Sequence, residues 1–225
     1  MSLNDNFNLN RAVRYAATVL QEGIQPVAVL TKADLCNNVE SLKMQFKQML
    51  PQIKVHAVSA LTGDGMDELN EYLQPGITIA LLGSSGVGKS TLVNALAGTE
   101  VMKTGGIREK DAKGRHTTTY RNMIELPSGM IVIDTPGMRE IGLCDVDEGL
   151  DDTFEDIAEL AMNCRFRDCT HTNEPRCAVR QAIEDGSLSQ ERFELYRSLH
   201  EESRRSADMK AIAKARKEIN RARRR

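Results

Sequence analysis

The chain has no apolar run near the ~20 residues a bilayer-spanning helix needs, and it does not open on a basic stretch followed by an apolar one. Neither a transmembrane helix nor a signal peptide is expected, no membrane partner is implied, and a cytoplasmic location follows. Cysteine is scarce and odd in number, five in 225 residues, which excludes a disulfide framework and leaves metal ligation or inert thiols. No internal repeat occurs, nor any low-complexity tract before the C-terminal tail. Net charge is almost lacking too, at −2, but that figure hides an asymmetry. From Ser203 to Arg225 ten basic residues stand against Asp208 and Glu218, a local +8, so residues 1–202 carry −10. An acidic body with a basic tail suggests a phosphate-rich partner for the tail. With 40% apolar and 28% charged residues, the composition is that of a folded chain. Its length predicts one main core with an appendage.

Hydrophobic periodicity predicts helices over 6–22, 40–50, 67–73 and 89–96. Short apolar runs at 26–30, 54–58, 77–82, 120–126 and 130–133 read as strands. Strands alternating with helices mean an α/β fold, a mostly parallel sheet covered by helices on both faces. After Gly149 the strand signals stop, and helices follow, interrupted by a Cys/His cluster.

The most specific feature is Gly83-Ser84-Ser85-Gly86-Val87-Gly88-Lys89-Ser90, which fits G-x-x-x-x-G-K-[ST] and lies between the most apolar strand and a helix. Glycines let successive N–H groups turn toward phosphates, and the helix N-terminus adds its positive end. In this pattern Lys89 reaches the β- and γ-phosphates, and the Ser90 hydroxyl ligates Mg²⁺. Asp134-Thr135-Pro136-Gly137 follows the strand 130–133, putting a carboxylate where it can hold the Mg²⁺ shell, with the Gly137 N–H directed at the γ-phosphate. Two strand ends upstream carry Thr31-Lys32-Ala33-Asp34 and Ser59-Ala60-Leu61. They resemble guanine-reading motifs. Asp34 would accept from the guanine N1–H and N2–H₂, Lys32 would lie along the base, and the Ser59-Ala60 backbone would donate to O6.

Base-reading motifs ahead of the phosphate loop resemble a circularly permuted GTPase, and the details resemble the RsgA (YjeQ/YloQ) family. The resemblance spans Asn6-Phe7-Asn8-Leu9-Asn10, Thr31 to Asp34, Gly83 to Thr91, Gly114 to Thr119, Asp134 to Gly137 and the Cys/His cluster. It implies GTP hydrolysis in late assembly of the small ribosomal subunit, with rRNA rather than DNA as the nucleic-acid contact and a monomer as the default. Residues 104–119 read as a mobile switch over the nucleotide. By the resemblance Thr118 completes the Mg²⁺ shell, with Thr117 as the fallback. Met138 stands where many GTPases place a water-orienting glutamine, so His116 is the candidate for that role. In the resembled family an OB-fold domain and one further strand come before the helix near Asn6; this chain has neither, and truncation is the expectation.

Cys164, Cys169, His171 and Cys177 supply four soft ligands within fourteen residues, the composition of a closed structural zinc site. Arg165, Arg167 and Arg176 lie among them. The expected division is a GTPase domain over 1–145 and a zinc-binding helical domain with a basic tail over 146–225. Two rival readings are a zinc-held RNA-binding module with a degraded nucleotide site, and a P-loop kinase, which leaves Thr31 to Asp34 unexplained.

Overall fold

The structure, a computed structural model, describes residues 1–4, 6–103, 122–134 and 147–222. Met1–Ala12 with Val27–Ile141 form one compact unit, and Val13–Pro26 with Gly142–Arg225 form the other.

In the first unit, β1 (Val27–Leu30) and β2 (Lys54–Ala57) pair in parallel, joined by α2 (Val39–Met49). A second sheet orders β3 (Thr78–Leu81), β5 (Ile131–Asp134) and β4 (Asn122–Glu125), with β5 parallel to β3 and antiparallel to β4. The mixed α/β architecture and its parallel pairings are as the sequence predicts. The helix α3 (Lys89–Ala97) connects the two sheets. Its Val93 and Ala97 pack with Val132, Met130 and Leu126 of the three-stranded sheet, while Leu92 packs with Val58 and Leu69 beside the other, and Leu96 touches both clusters. Successive apolar positions on one short helix thus serve two surfaces, and the phosphate loop sits at that helix's N-terminus.

Two expectations are corrected here. The segment 67–73 is a 3₁₀ helix, Met66–Tyr72, because Met66 N–H bonds to Gly63 O and Glu68 N–H to Gly65 O at three-residue spacing. The chain also does not lack every trace of a strand before Asn6. Ser2 forms a parallel bridge with Thr31, the Leu3 amide donates to Thr31 O at 2.8 Å, and the Thr31 amide donates to Met1 O at 2.7 Å. Three residues are too few to show an alternating pattern.

The second unit is helical among its described residues. Val13, Ala16 and Ala17 of α1 (Leu9–Gln21) are buried at the i, i+3, i+4 spacing of a helix face. Leu150 and Phe154 begin a buried row that Ile157 continues, across α4 (Asp147–Thr153) and α5 (Glu155–Met162). α6 (Ala178–Glu184) contributes Val179 and Ala182, and α7 (Gln190–Ala222) contributes Phe193, Leu195 and Leu199. The Arg192 guanidinium is buried where Asp156 meets it at 2.9 and 2.7 Å, Thr153 O accepts from it at 3.2 Å, and the Phe154 ring lies 4.7 Å away. Charge, hydrogen bonds and ring face together offset the cost of burying that cation.

Candidate functional site

The phosphate loop leaves β3 and turns into α3. Gly88 sits at φ +101°, a conformation L side chains rarely adopt, and its carbonyl accepts the Leu92 amide at 2.9 Å to begin the helix. Lys89 folds back across the loop, its ammonium donating to Gly83 O at 2.7 Å and Ser84 O at 3.0 Å. Ser85 and Gly86 are exposed at the loop's tip, Val87 is buried beneath it, and Ser90 and Thr91 begin the helix. Asp134 ends β5 in register with Leu81, two residues before Gly83. Backbone pairing therefore brings Asp134 beside the end of the strand from which the loop leaves.

Of the two segments expected to read the base, Thr31 to Asp34 lies against this loop, and Ser59-Ala60 is tied to that segment. The Thr31 hydroxyl, buried, donates to Val87 O at 2.5 Å. Lys32 adopts φ +61°, which turns the chain into a 3₁₀ turn over Ala33–Leu35 with Asp34 exposed. The Ala33 amide donates to Val58 O at 3.1 Å, tying this turn to the residue before Ser59. Ser59 is fully buried; its N–H donates to Asp64 O at 2.9 Å and its hydroxyl accepts from the Thr62 amide at 3.2 Å. With the Ser59 amide so engaged, Ala60 is the better placed of the two to donate to a base. Below this loop His56 is held by Glu68 at 2.9 Å and the Tyr72 hydroxyl at 3.0 Å, with Glu71 3.7 Å away. Burial, and then the Glu71 carboxylate, push the Tyr72 phenol up to about 12.

One contact had no role in the sequence reading. The Asn6 side-chain amide donates to Ser84 Oγ at 2.7 Å, and the Arg11 guanidinium holds Asn6 through its backbone and side-chain oxygens. The only sequence signal was the polar Asn6-Phe7-Asn8-Leu9-Asn10 string, which is silent about a partner 78 residues away. His116, Thr117, Thr118, Gly137 and Met138 lie outside the described residues.

The second site lies between α5 and α6. One ligand atom from each of Cys164, Cys169, His171 and Cys177 can be chosen so that all lie within 4.8 Å of one another. The Cys164 and Cys177 sulfurs are 3.8 Å apart, and His171 Nδ1 lies 3.6 Å from the first and 3.4 Å from the second. A tetrahedral ion with Zn–S bonds of about 2.3 Å and a Zn–N bond of about 2.0–2.1 Å requires S–S edges of about 3.8 Å and S–N edges of about 3.6 Å. The donor set and the three edges among Cys164, Cys177 and His171 fit zinc. His171 reaches this position through φ +59°, and Glu174 fastens the turn by accepting from the amides of Thr170, Thr172 and Asn173 and the Thr170 hydroxyl. Those bonds pull its carboxyl down to about 2. Burial lowers the His171 imidazole, favouring the neutral ligand form. Burial raises Cys169 to about 11, whereas at Cys164 the amides of Val179 and Ala178 and the neighbouring thiols outweigh burial and lower it.

The RsgA GTPase family model matches residues 1–144. The chain belongs to that family. It is 48% identical over 221 residues to a Listeria monocytogenes protein named small ribosomal subunit biogenesis GTPase RsgA 2, covering 98% of this chain and 64% of the relative. A Vibrio parahaemolyticus protein of the same name is 51% identical over 198 residues, 88% of this chain and 55% of the relative. The chain thus spans less than two thirds of the length of these RsgA relatives. Among solved structures it resembles YjeQ from Thermotoga maritima, with a TM-score of 0.66 and 28% identity over 89% of this chain and 68% of that one. It also resembles YloQ, described as a circularly permuted GTPase, with a TM-score of 0.60 and 32% identity over 87% of this chain and 63% of that one. The order of segments around the phosphate loop is therefore the RsgA order.

Proposed function

We propose that the chain is a Mg²⁺-dependent GTP hydrolase that acts with the small ribosomal subunit during late assembly, in the cytoplasm and as a monomer. The observation that carries the nucleotide reading is the Thr31–Val87 hydrogen bond, which fastens the base-side segment to the phosphate loop. The partner follows from the relatives, whose name is small ribosomal subunit biogenesis GTPase.

In this reading GTP lies with its phosphates in the curl of Gly83 to Gly88. Lys89 leaves the carbonyls it now contacts and turns to the β- and γ-phosphates, where its charge is worth more than on neutral oxygens. Asp34 accepts from the guanine edge, Lys32 lies along the base and the Ala60 amide donates to O6. Ser90, Thr118 and Asp134 would hold the Mg²⁺ shell, and the ion would supply charge neutralisation on the phosphates. Gly137 donates to the γ-phosphate, and His116 orients the attacking water. The division into a GTPase domain over 1–145 and a helical domain over 146–225 belongs to the same proposal, as does zinc at Cys164, Cys169, His171 and Cys177. There zinc acts structurally, because all four positions are filled by protein. The basic tail then contacts rRNA phosphates.

Phosphate release from GTP and ATP, with and without small subunits, tests this. Preference for GTP, lost in Asp34→Asn, and stimulation by subunits are expected. Equal use of ATP sinks the base assignment, and absence of stimulation sinks the partner.

A further inference from the structure

The chain holds five phenylalanines, four tyrosines and no tryptophan. Phe46, Phe154 and Phe193 are buried at 5% exposure or less, which is the expected use of scarce large apolar rings. Phe166 departs from this at 39% exposure, although it sits in the tightly wrapped Cys/His loop. Its backbone is committed to the loop: the Phe166 carbonyl accepts from the Cys169 amide at 3.3 Å, closing the turn that brings Cys169 to the cluster.

The surroundings of the ring are cationic. The Arg165 guanidinium lies 5.4 Å from the ring centroid, Arg167 follows directly in sequence, and the Arg165 amide bonds to the Arg176 carbonyl at 3.4 Å, which brings the backbone of Arg176 beside that of Arg165. All three arginines are exposed. Of the two acids in the loop, Glu174 is committed to the loop's own amides and hydroxyl, leaving Asp168.

We propose that Phe166, with Arg165 against its ring and the exposed Arg167 and Arg176 on the same loop, is a stacking platform for an unpaired base of single-stranded RNA. An exposed ring with a guanidinium against it, on a loop with two more exposed arginines, suits a flat π-face joined to phosphate; an apolar protein surface would offer those cations no partner. A base inside a duplex offers no free face, so the site discriminates single strands from duplex. The inference deepens the rRNA reading given above by naming the RNA feature recognised, and it does not depend on GTP hydrolysis.

The absence of tryptophan makes the test direct, because Phe166→Trp creates a single indole at the platform. The 225-residue chain, of measured metal content, would be titrated with a fluorescein-labelled ten-nucleotide single-stranded RNA and with the same sequence as a duplex. Phe166→Trp should keep the single-strand affinity within about threefold, and its emission should be quenched by the single strand and not by the duplex. Phe166→Leu should lose about five- to hundredfold in affinity with an unchanged salt slope, since one stacked base is lost and no charge. Arg167→Ala should instead lower the salt slope by about one. Phe166→Ala extends the series, with circular dichroism and metal content checking that each variant folds. No single-strand binding by the parent chain, Phe166→Leu binding within twofold of it, an unquenched indole, or equal quenching by duplex or by an acidic peptide would each overturn the proposal. Phosphate release from GTP without RNA should be the same in every variant. Its absence in the parent chain would sink the GTPase reading while leaving the quenching result to stand by itself.

Discussion

The hydroxyl of Thr31 and the carbonyl of Val87, 56 residues apart in sequence, meet at 2.5 Å in the buried seam between the end of β1 and the phosphate loop. The contact is buried, and the hydroxyl has a second, longer acceptor in Met1 O at 3.2 Å. Thr31→Val keeps the shape and leaves the Val87 carbonyl without this donor, at a cost of about 1–3 kcal/mol. GDP affinity should fall by about five- to tenfold by calorimetry and the melting temperature should drop, with Thr31→Ser recovering most of both. Unchanged affinity in Thr31→Val would show that the seam does not transmit to the nucleotide.

The Asn6–Ser84 contact makes a parallel but separable case. Asn6 is fixed from behind by Arg11 and supports the phosphate loop at Ser84 Oγ. A double-mutant cycle of Asn6→Ala and Ser84→Ala, read by GDP affinity, should give a coupling of about 0.5–1.5 kcal/mol. The double variant should bind little worse than either single one. Additive losses would mean that the two side chains act independently.

The parts of the site legible in the sequence are those whose chemistry is local. Gly83 to Ser90 carries the full spacing of a phosphate-binding loop, and four soft ligands in fourteen residues have few uses other than a metal. What the sequence could not display are contacts set by tertiary folding. Nothing in Asn6 names Ser84, and nothing in Ser59 shows that Asp64 takes its amide. The parallel bridge at Ser2 is hidden for a different reason, since alternation needs more than three residues to be read. The 3₁₀ form of Met66–Tyr72 was also invisible, because the apolar spacing of so short a segment suits an α-turn equally well.

Metal binding at the Cys/His cluster should release protons. Burial raises the Cys169 thiol to about 11, so at pH 7 it is protonated before metal enters and must be deprotonated to ligate. His171 is shifted the other way, toward its neutral form, and contributes little to the release near neutrality. Apparent zinc affinity should therefore rise with pH between about 6 and 8, with at least one proton released per ion in a lightly buffered titration. Cys177→Ser should lose the metal or unfold the helices α5 and α6 that the loop joins. A pH-independent affinity would rule out Cys169 as a ligand.

Gly149 gives the sharpest test of packing in the second unit. In the middle of an exposed helix, glycine to alanine would stabilise by about 1 kcal/mol through helix propensity. Here a Cβ would come 2.0 Å from the Ala17 carbonyl oxygen and 3.0 Å from Gln21 Cβ, so α1 and α4 touch backbone to backbone at this point. The Gly149 amide, one of the N–H groups that the first turn of α4 cannot satisfy internally, donates to Gln21 Oε1 at 2.8 Å. Separating the helices to admit a methyl group would break that bond as well as the contact. Overpacking costs about 1–3 kcal/mol, which exceeds the propensity gain. Gly149→Ala should accordingly lower the melting temperature of the helical unit, followed by circular dichroism at 222 nm, and Gly149→Ser should lower it further. An unchanged or raised melting temperature would mean that the two helices can separate without loss.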